Sequence, residues 1–241
     1  MTFNDNARLN PGSVSRRGGE PMNDARLASV NIGMGIANPH KKTHLTGINK
    51  LAQPGRWEVR APGPKQGGLG SGLVGDFVGD PRHHGGDSQA LYAYGREELD
   101  HWESRLGREL PNGFFGENLT TTGLDVNGAR LGEIWQVGDT VQLRVTAPRI
   151  PCNTFRGWVG ERGWLKTFTA AARPGAYLGV VTPGFISAGD AIVVIHRPDH
   201  DVTIELSYRA ITLERELLPR LLAAGDDLDP ELRETAVGTA R

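Results

Sequence analysis

Apolar side chains fall on every second position through Ala28-Ser29-Val30-Asn31-Ile32-Gly33-Met34, the alternation of a strand buried on one face. Val141, Leu143 and Val145 repeat it. Further short strands are expected at Trp57 to Arg60, Ala90 to Tyr94, Tyr177 to Thr182 and Ala191 to Ile195. Turn chemistry bounds them at Val137-Gly138-Asp139, Pro183-Gly184 and Ala188-Gly189-Asp190. Short strands separated by repeated Gly-Asp turns point to a sandwich or a closed barrel.

Two stretches change period. Residues 95–106 place Leu99, Trp102 and Leu106 on one stripe, and Gly107 stops that helix. A second helix is expected over about Val159 to Ala172, with Trp164, Leu165, Phe168 and Ala172 facing inward and Pro174-Gly175 ending it. Near the C-terminus, Thr203 to Ala210 reads as a short helix. Thr212 is placed to cap another that carries Leu213, Leu217, Leu218, Leu221 and Leu222, with Gly225 beyond its end. Asp229-Pro230-Glu231 opens a third, with a cap, proline at the first helical position and an early acid. Residues 1–24 show no apolar periodicity and read as a disordered leader. The expected organisation is a leader (1–24), a β domain (25–200) and a small three-helix extension (201–241).

Composition narrows the function classes. A net charge of −1 over 241 residues gives no general attraction for polyanions. No run of 18 apolar residues exists to cross a membrane, and the first residues lack the apolar stretch of a secretory signal. A single cysteine builds no disulfide framework, so a cytoplasmic location is expected.

That cysteine, Cys152, lies in Ala147-Pro148-Arg149-Ile150-Pro151-Cys152-Asn153, where two prolines stiffen the backbone and Arg149 and Arg156 favour a thiolate. The residues alone leave two readings open, a reactive or metal-binding sulfur and a buried cysteine packing as a small hydrophobe. Gly70-Ser71-Gly72-Leu73-Val74-Gly75 matches a dinucleotide fingerprint but has neither the leading strand nor the following helix that gives it meaning. His83 and His84 are adjacent and point to opposite faces if extended, and no further His or Cys lies near enough to complete a zinc set. His84 has a bland alternative, a bond to a loop carbonyl. Asn118, in Gly116-Glu117-Asn118-Leu119, could simply tie its own turn. Residues 41–66 carry six basic residues (Lys41, Lys42, Lys50, Arg56, Arg60, Lys65) against Glu58 alone, marking either an anion site or a solvated basic face.

Taken in order, several of these stretches resemble the MOSC family, named for the C-terminal domain of molybdenum cofactor sulfurase, and within it the YiiM-like branch. They are Leu73-Val74-Gly75-Asp76, His84-Gly85-Gly86 with Ala90-Leu91 and Tyr94, Gly116-Glu117-Asn118-Leu119, Gly132 with Gly138-Asp139, Pro148-Arg149-Ile150-Pro151-Cys152, and Pro183-Gly184 with Ala188-Gly189-Asp190. The resemblance spans about residues 28–195, and the tail is similar to that branch's three-helix extension.

What the resemblance implies is a mainly β fold, a MOSC-type closed β-barrel with a few helices, and a bound molybdenum cofactor. Cys152 would be the thiolate ligand to the metal, a soft donor suited to it. Arg149, Lys50, Lys42 and Arg82, with Asn153 beside the cysteine, would contact the anionic pterin, whose phosphate calls for cations. His84 and Asn118 would line or brace the pocket and serve catalysis. The implied activity is two-electron reduction of small N-hydroxylated compounds such as hydroxylaminopurines and amidoximes. One cysteine holds no iron–sulfur cluster, so a separate reductase would supply electrons. The alternative within the family is a persulfide carried on Cys152 and made by a separate pyridoxal-phosphate desulfurase. A nucleic-acid-binding tail is disfavoured, because residues 202–241 hold five basic and eight acidic side chains. Oligomeric state is not legible.

Overall fold

A computed structural model describes residues 25–40 and 45–239; the expected leader, residues 1–24, lies outside them. The first alternating stretch forms β1 (Arg26–Gly33), followed by the two-residue strands β2 (Ile36–Ala37) and β3 (Leu45–Thr46), then β4 (Lys50–Gln53) and β5 (Arg56–Val59). After a long loop and one 3-10 turn at Asp87–Gln89 come β6 (Leu91–Gly95), α1 (Arg96–Leu106), β7 (Leu119–Thr122), β8 (Ile134–Val137) and β9 (Val141–Pro148). Next are α2 (Asn153–Val159), α3 (Trp164–Ala171), β10 (Ala176–Thr182), β11 (Gly184–Ser187) and β12 (Ile192–His196). The tail is α4 (Ile204–Thr212), a 3-10 segment Arg215–Asp227 and α5 (Pro230–Thr239). No helix among the described residues is long and apolar enough to cross a membrane.

The molecule is mainly β with several helices, but the sheet is not the closed barrel expected. Eight strands form one sheet in the order β12-β8-β9-β10-β6-β7-β1-β4, all antiparallel except β6 with β7. Its edge strands β12 and β4 do not pair. The reason lies after β10: Pro183 has no N–H to continue the ladder, and the chain leaves to pair β11 with β5 as a separate two-stranded sheet. Near the gap β1 meets the segment before β12 through an isolated bridge, Arg26 to Ala191, and backbone bonds such as Leu27 N–H to the Asp190 carbonyl at 2.9 Å and Gly189 N–H to the Leu27 carbonyl at 2.7 Å, without a paired strand.

Two helical expectations also need correction. The single helix over about Val159 to Ala172 is two, because Gly160 and Gly163 take left-handed φ of 73° and 75° and break the chain between α2 and α3. Thr212 caps nothing. It ends α4 and its hydroxyl donates to the Tyr208 carbonyl at 2.7 Å, while Thr203 caps α4 by accepting the Leu206 N–H at 3.1 Å.

Two cores position the site. The larger joins the inner sheet face (Leu27, Val30, Leu143, Val145) to the C-terminal helices through Ile204, Leu218, Leu221 and Ala236. Arg144 on β9 also donates to Asp227 of the tail. The smaller core is aromatic: Tyr94, Trp102, Phe115, Phe155, Trp164 and Phe168 pack edge-on and tilted, with Phe155 and Phe168 centroids 5.0 Å apart.

Candidate functional site

One cavity gathers Cys152, His84, Arg149, Tyr177, Asn118 and Lys50 from five separate segments. Beyond β9 the side chains alternate against their polarity: Arg149 is 5% exposed while Ile150 is 42% exposed. Hydrophobic burial alone would do the opposite, so the inward arginine is held for another reason. Its guanidinium stacks over the Phe155 ring at 3.8 Å and reaches Tyr92 at 5.5 Å. It meets the Tyr177 hydroxyl, but no ion pair to a carboxylate is found for it, and its Nη1 is buried without a hydrogen-bond partner.

Cys152 follows in extended conformation immediately before α2, so its sulfur meets the Phe155 backbone N–H. Burial pushes the thiol up, but the His84 hydrogen bond, the Arg149 charge and the Phe155 N–H outweigh it and hold the thiol down at about 6. At neutral pH it is a thiolate. His84 gets there because Gly85 and Gly86 adopt φ of 80° and 79°. A Cβ on Gly85 would lie 2.6 Å from the Gly70 carbonyl oxygen, and one on Gly86 2.7 Å from Lys65 Cα. The other side of the ring is addressed by Tyr177, whose hydroxyl lies 3.5 Å from His84 Nδ1.

The opposite wall is a polar brace. Asp76 accepts from the Gly33 N–H at 2.8 Å, Ser71 Oγ at 2.9 Å, Asn118 Nδ2 at 2.9 Å and Lys50 Nζ. Asn118 also accepts the Tyr92 N–H at 3.1 Å, so it ties β6 to the loop carrying Asp76. Below it, the fully buried Glu117 accepts from Gly113 N at 2.5 Å, Phe115 N at 3.0 Å and Thr120 Oγ1 at 3.0 Å. Burial pushes its carboxyl up, against those hydrogen bonds, to about 7.

Of the residues singled out in the sequence, Cys152, His84, Arg149, Asn118 and Lys50 line this cavity. Lys50 does so as the partner of Asp76, which leaves Arg149 as the cation there without an acid. Arg82 does not join them; its side chain is largely solvent-exposed and bound to Asp80 at 3.0 Å. Asn153 begins α2 with its side chain exposed, and Lys42 lies outside the described residues. Sequence reading gave no role to Asp76, Tyr177 or Phe155. Among the described residues no cluster of three His, Cys, Asp or Glu side chains could hold a metal ion. Any metal here would bring most of its ligands with it and take one sulfur from the protein.

Residues 80–193 match the family described as the MOSC domain. Over those residues the chain is similar to the MOSC domain. Outside that match, YflK of Bacillus subtilis (strain 168), described as uncharacterized, is 29% identical over 135 residues, covering 56% of this chain and 61% of YflK. A protein of Gibberella moniliformis (strain M3125 / FGSC 7600) named "Reductase" is 31% identical over 131 residues, 53% of this chain and 23% of that one. The chain thus spans less than two thirds of the length of either relative. In structure it is similar to YiiM from Geobacillus stearothermophilus, with a TM-score of 0.71 and 25% identity over 90% of this chain and 100% of that one. The likeness of fold therefore extends well past the residues that match the MOSC family.

Proposed function

We propose that this MOSC protein binds a molybdenum cofactor through Cys152 and reduces small N-hydroxylated compounds with electrons from a separate reductase. The observation that carries the reading is the pairing of a preformed thiolate with a buried arginine that has no acid. A soft, anionic sulfur suits a metal that arrives with its own sulfur donors. A buried guanidinium whose Nη1 has no hydrogen-bond partner suits an anionic group of the same ligand, because a buried donor left unmade is costly. The residues present therefore fit the cofactor. The name of the fungal relative is consistent with redox chemistry.

When bound, the cofactor would supply a metal that exchanges two electrons with the substrate's N–O group. The chain's own residues do the rest. Cys152 Sγ would hold the metal and Arg149 an anionic group of the cofactor, and the aromatic core under Phe155 keeps both side chains in place. His84, turned to the sulfur, is the side chain placed to hand a proton to an oxygen leaving the substrate, with Tyr177 orienting its ring. Asp76 and Asn118 fix the facing wall and keep Lys50 extended along it.

Protein made in a host able to synthesise the cofactor, compared with a host unable to, tests this. About one molybdenum and one pterin per chain, lost in Cys152→Ser, is the expected outcome. Well-folded wild-type protein without either would overturn the proposal.

A further inference from the structure

The Cys152 cavity has a neighbour. A groove of about 530 Å³ runs between the C-terminal helices and the outer end of β9, with Pro148, Ile150, Leu218 and Leu232 among its apolar surfaces. Its size is that of a small-molecule site. Ile150, two residues from Cys152, is one of the outward-facing side chains that form it. One residue borders both spaces: Gln89.

Among the described residues the Gln89 carboxamide has no hydrogen-bond partner, and its Oε1 is buried without one. A buried acceptor left unmade costs stability, so its retention asks for a ligand. Its backbone is held in place. The Gln89 N–H donates to the Gly86 carbonyl at 2.9 Å, the preceding Ser88 carbonyl accepts from Thr146 Oγ1 at 2.6 Å, and Asp87 accepts the Gly63 N–H at 2.9 Å. A side chain presented from so anchored a turn reads geometry with little ordering cost.

We infer that Gln89 is a specificity-determining residue that reads the N–H/N edge of an amidine-type or aminopurine-type heterocycle, whose ring lies in the groove and whose exocyclic nitrogen faces Cys152. A carboxamide offers one donor and one acceptor in a plane. Its natural complement is a donor beside a ring-nitrogen acceptor, the pairing by which Gln and Asn recognise adenine. Charge in the groove favours a neutral ring over a nucleotide: Lys65, Arg144 and Arg215 are matched by Asp226, Asp227 and Asp229, leaving no positive excess for phosphate. The inference rests on the reductase reading for its substrate class, and separates hydroxylaminopurines and amidoximes, which have such an edge, from tertiary amine N-oxides, which do not.

Calorimetric binding of adenine and of unsubstituted purine to wild-type protein and to Gln89→Met tests it without the chemistry. Purine keeps the rings and lacks the exocyclic donor. Adenine is expected to bind wild type about tenfold or more tightly than purine, a preference lost in Gln89→Met and reduced in Gln89→Glu, which keeps the acceptor and loses the donor. Equal binding of the two ligands, a preference that survives in Gln89→Met, or no adenine binding at millimolar concentration would overturn it. Adenine recognition through Gln89 in protein that takes up no molybdenum in a host able to synthesise the cofactor would sink the reductase reading and leave this one standing.

Discussion

His84 and Cys152, 68 positions apart in sequence, meet through a hydrogen bond from the imidazole to the sulfur. Two elements make that contact: a double-glycine turn that aims the ring, and the extended residue before α2 that aims the thiol. Tyr177 of β10 lies on the far side of the imidazole, its hydroxyl 3.5 Å from Nδ1.

The reactivity of the sulfur should report this arrangement. In cofactor-free protein, alkylation by iodoacetamide is expected to rise with a midpoint near pH 6, not near the ordinary 9. His84→Ala removes a bond that favours the thiolate and should move the midpoint upward. A wild-type midpoint of about 8.5, that of a free cysteine, would contradict the assignment.

Arg149→Met should separate stability from function. The variant keeps volume over Phe155 and removes a buried cation, so its unfolding free energy in urea is expected to hold or rise, by about 1–4 kcal/mol at most. Cofactor retention should fall sharply in the same protein, measured as molybdenum per chain. A stable variant that retains the full complement would show that Arg149 holds nothing anionic.

Asp76→Asn should behave oppositely. It leaves Lys50 buried without its acid and disturbs the acceptors facing Gly33, Ser71 and Asn118. Loss of about 3–5 kcal/mol is expected in denaturant unfolding, the cost of breaking a buried ion pair from one side. A change below about 1 kcal/mol, as for an exposed pair, would show that this wall is not a brace.

Glu117 gives a pH signature of defined sign. Its folded value of about 7 lies above the ordinary 4.5, so the folded state holds the proton more tightly. Its contribution is full below about 4.5 and is lost as pH rises through 7, on the order of 3 kcal/mol in all. Cys152 acts in the reverse sense, because a depressed thiol adds stability as pH rises from about 6 towards 9. The difference between wild type and Glu117→Gln isolates the carboxyl: between pH 4.5 and 7 the wild-type urea midpoint should fall relative to the variant's. Parallel pH curves for the two proteins would refute it.

β9 was legible, because it alternates through Val141, Leu143 and Val145 as its burial demands; β1 stands where its alternation was read, but Ser29 and Asn31 are buried beside Val30 while Ala28 and Ile32 are only partly buried and Met34 is exposed. The two-residue strands β2 and β3 left no period to read, and β11 began in what reads as a Pro-Gly turn. The break between α2 and α3 was written in Gly160 and Gly163, yet the inward aromatics on either side mimic one continuous stripe. At the site, Cys152 stood out by being alone, and His84 and Asn118 by family motif. Tyr177 reads as an ordinary strand residue until β10 is paired with β6, and Gln89 as a polar turn residue until two cavities are seen to meet at its side chain. Pairing partners and cavities are long-range facts, and local pattern does not encode them.

The C-terminal helices donate Leu218, Leu221 and Ala236 to the same core as Leu143 and Val145. The tail is consequently not a cassette that evolution can trade freely. Any lineage that exchanged it for another module would have to reshape the inner strands as well, and would surrender one wall of the groove beside the sulfur. Catalytic preference and chain architecture are here inherited together, so that substrate range should drift with the sequence of the tail even where every residue around the cysteine stays the same.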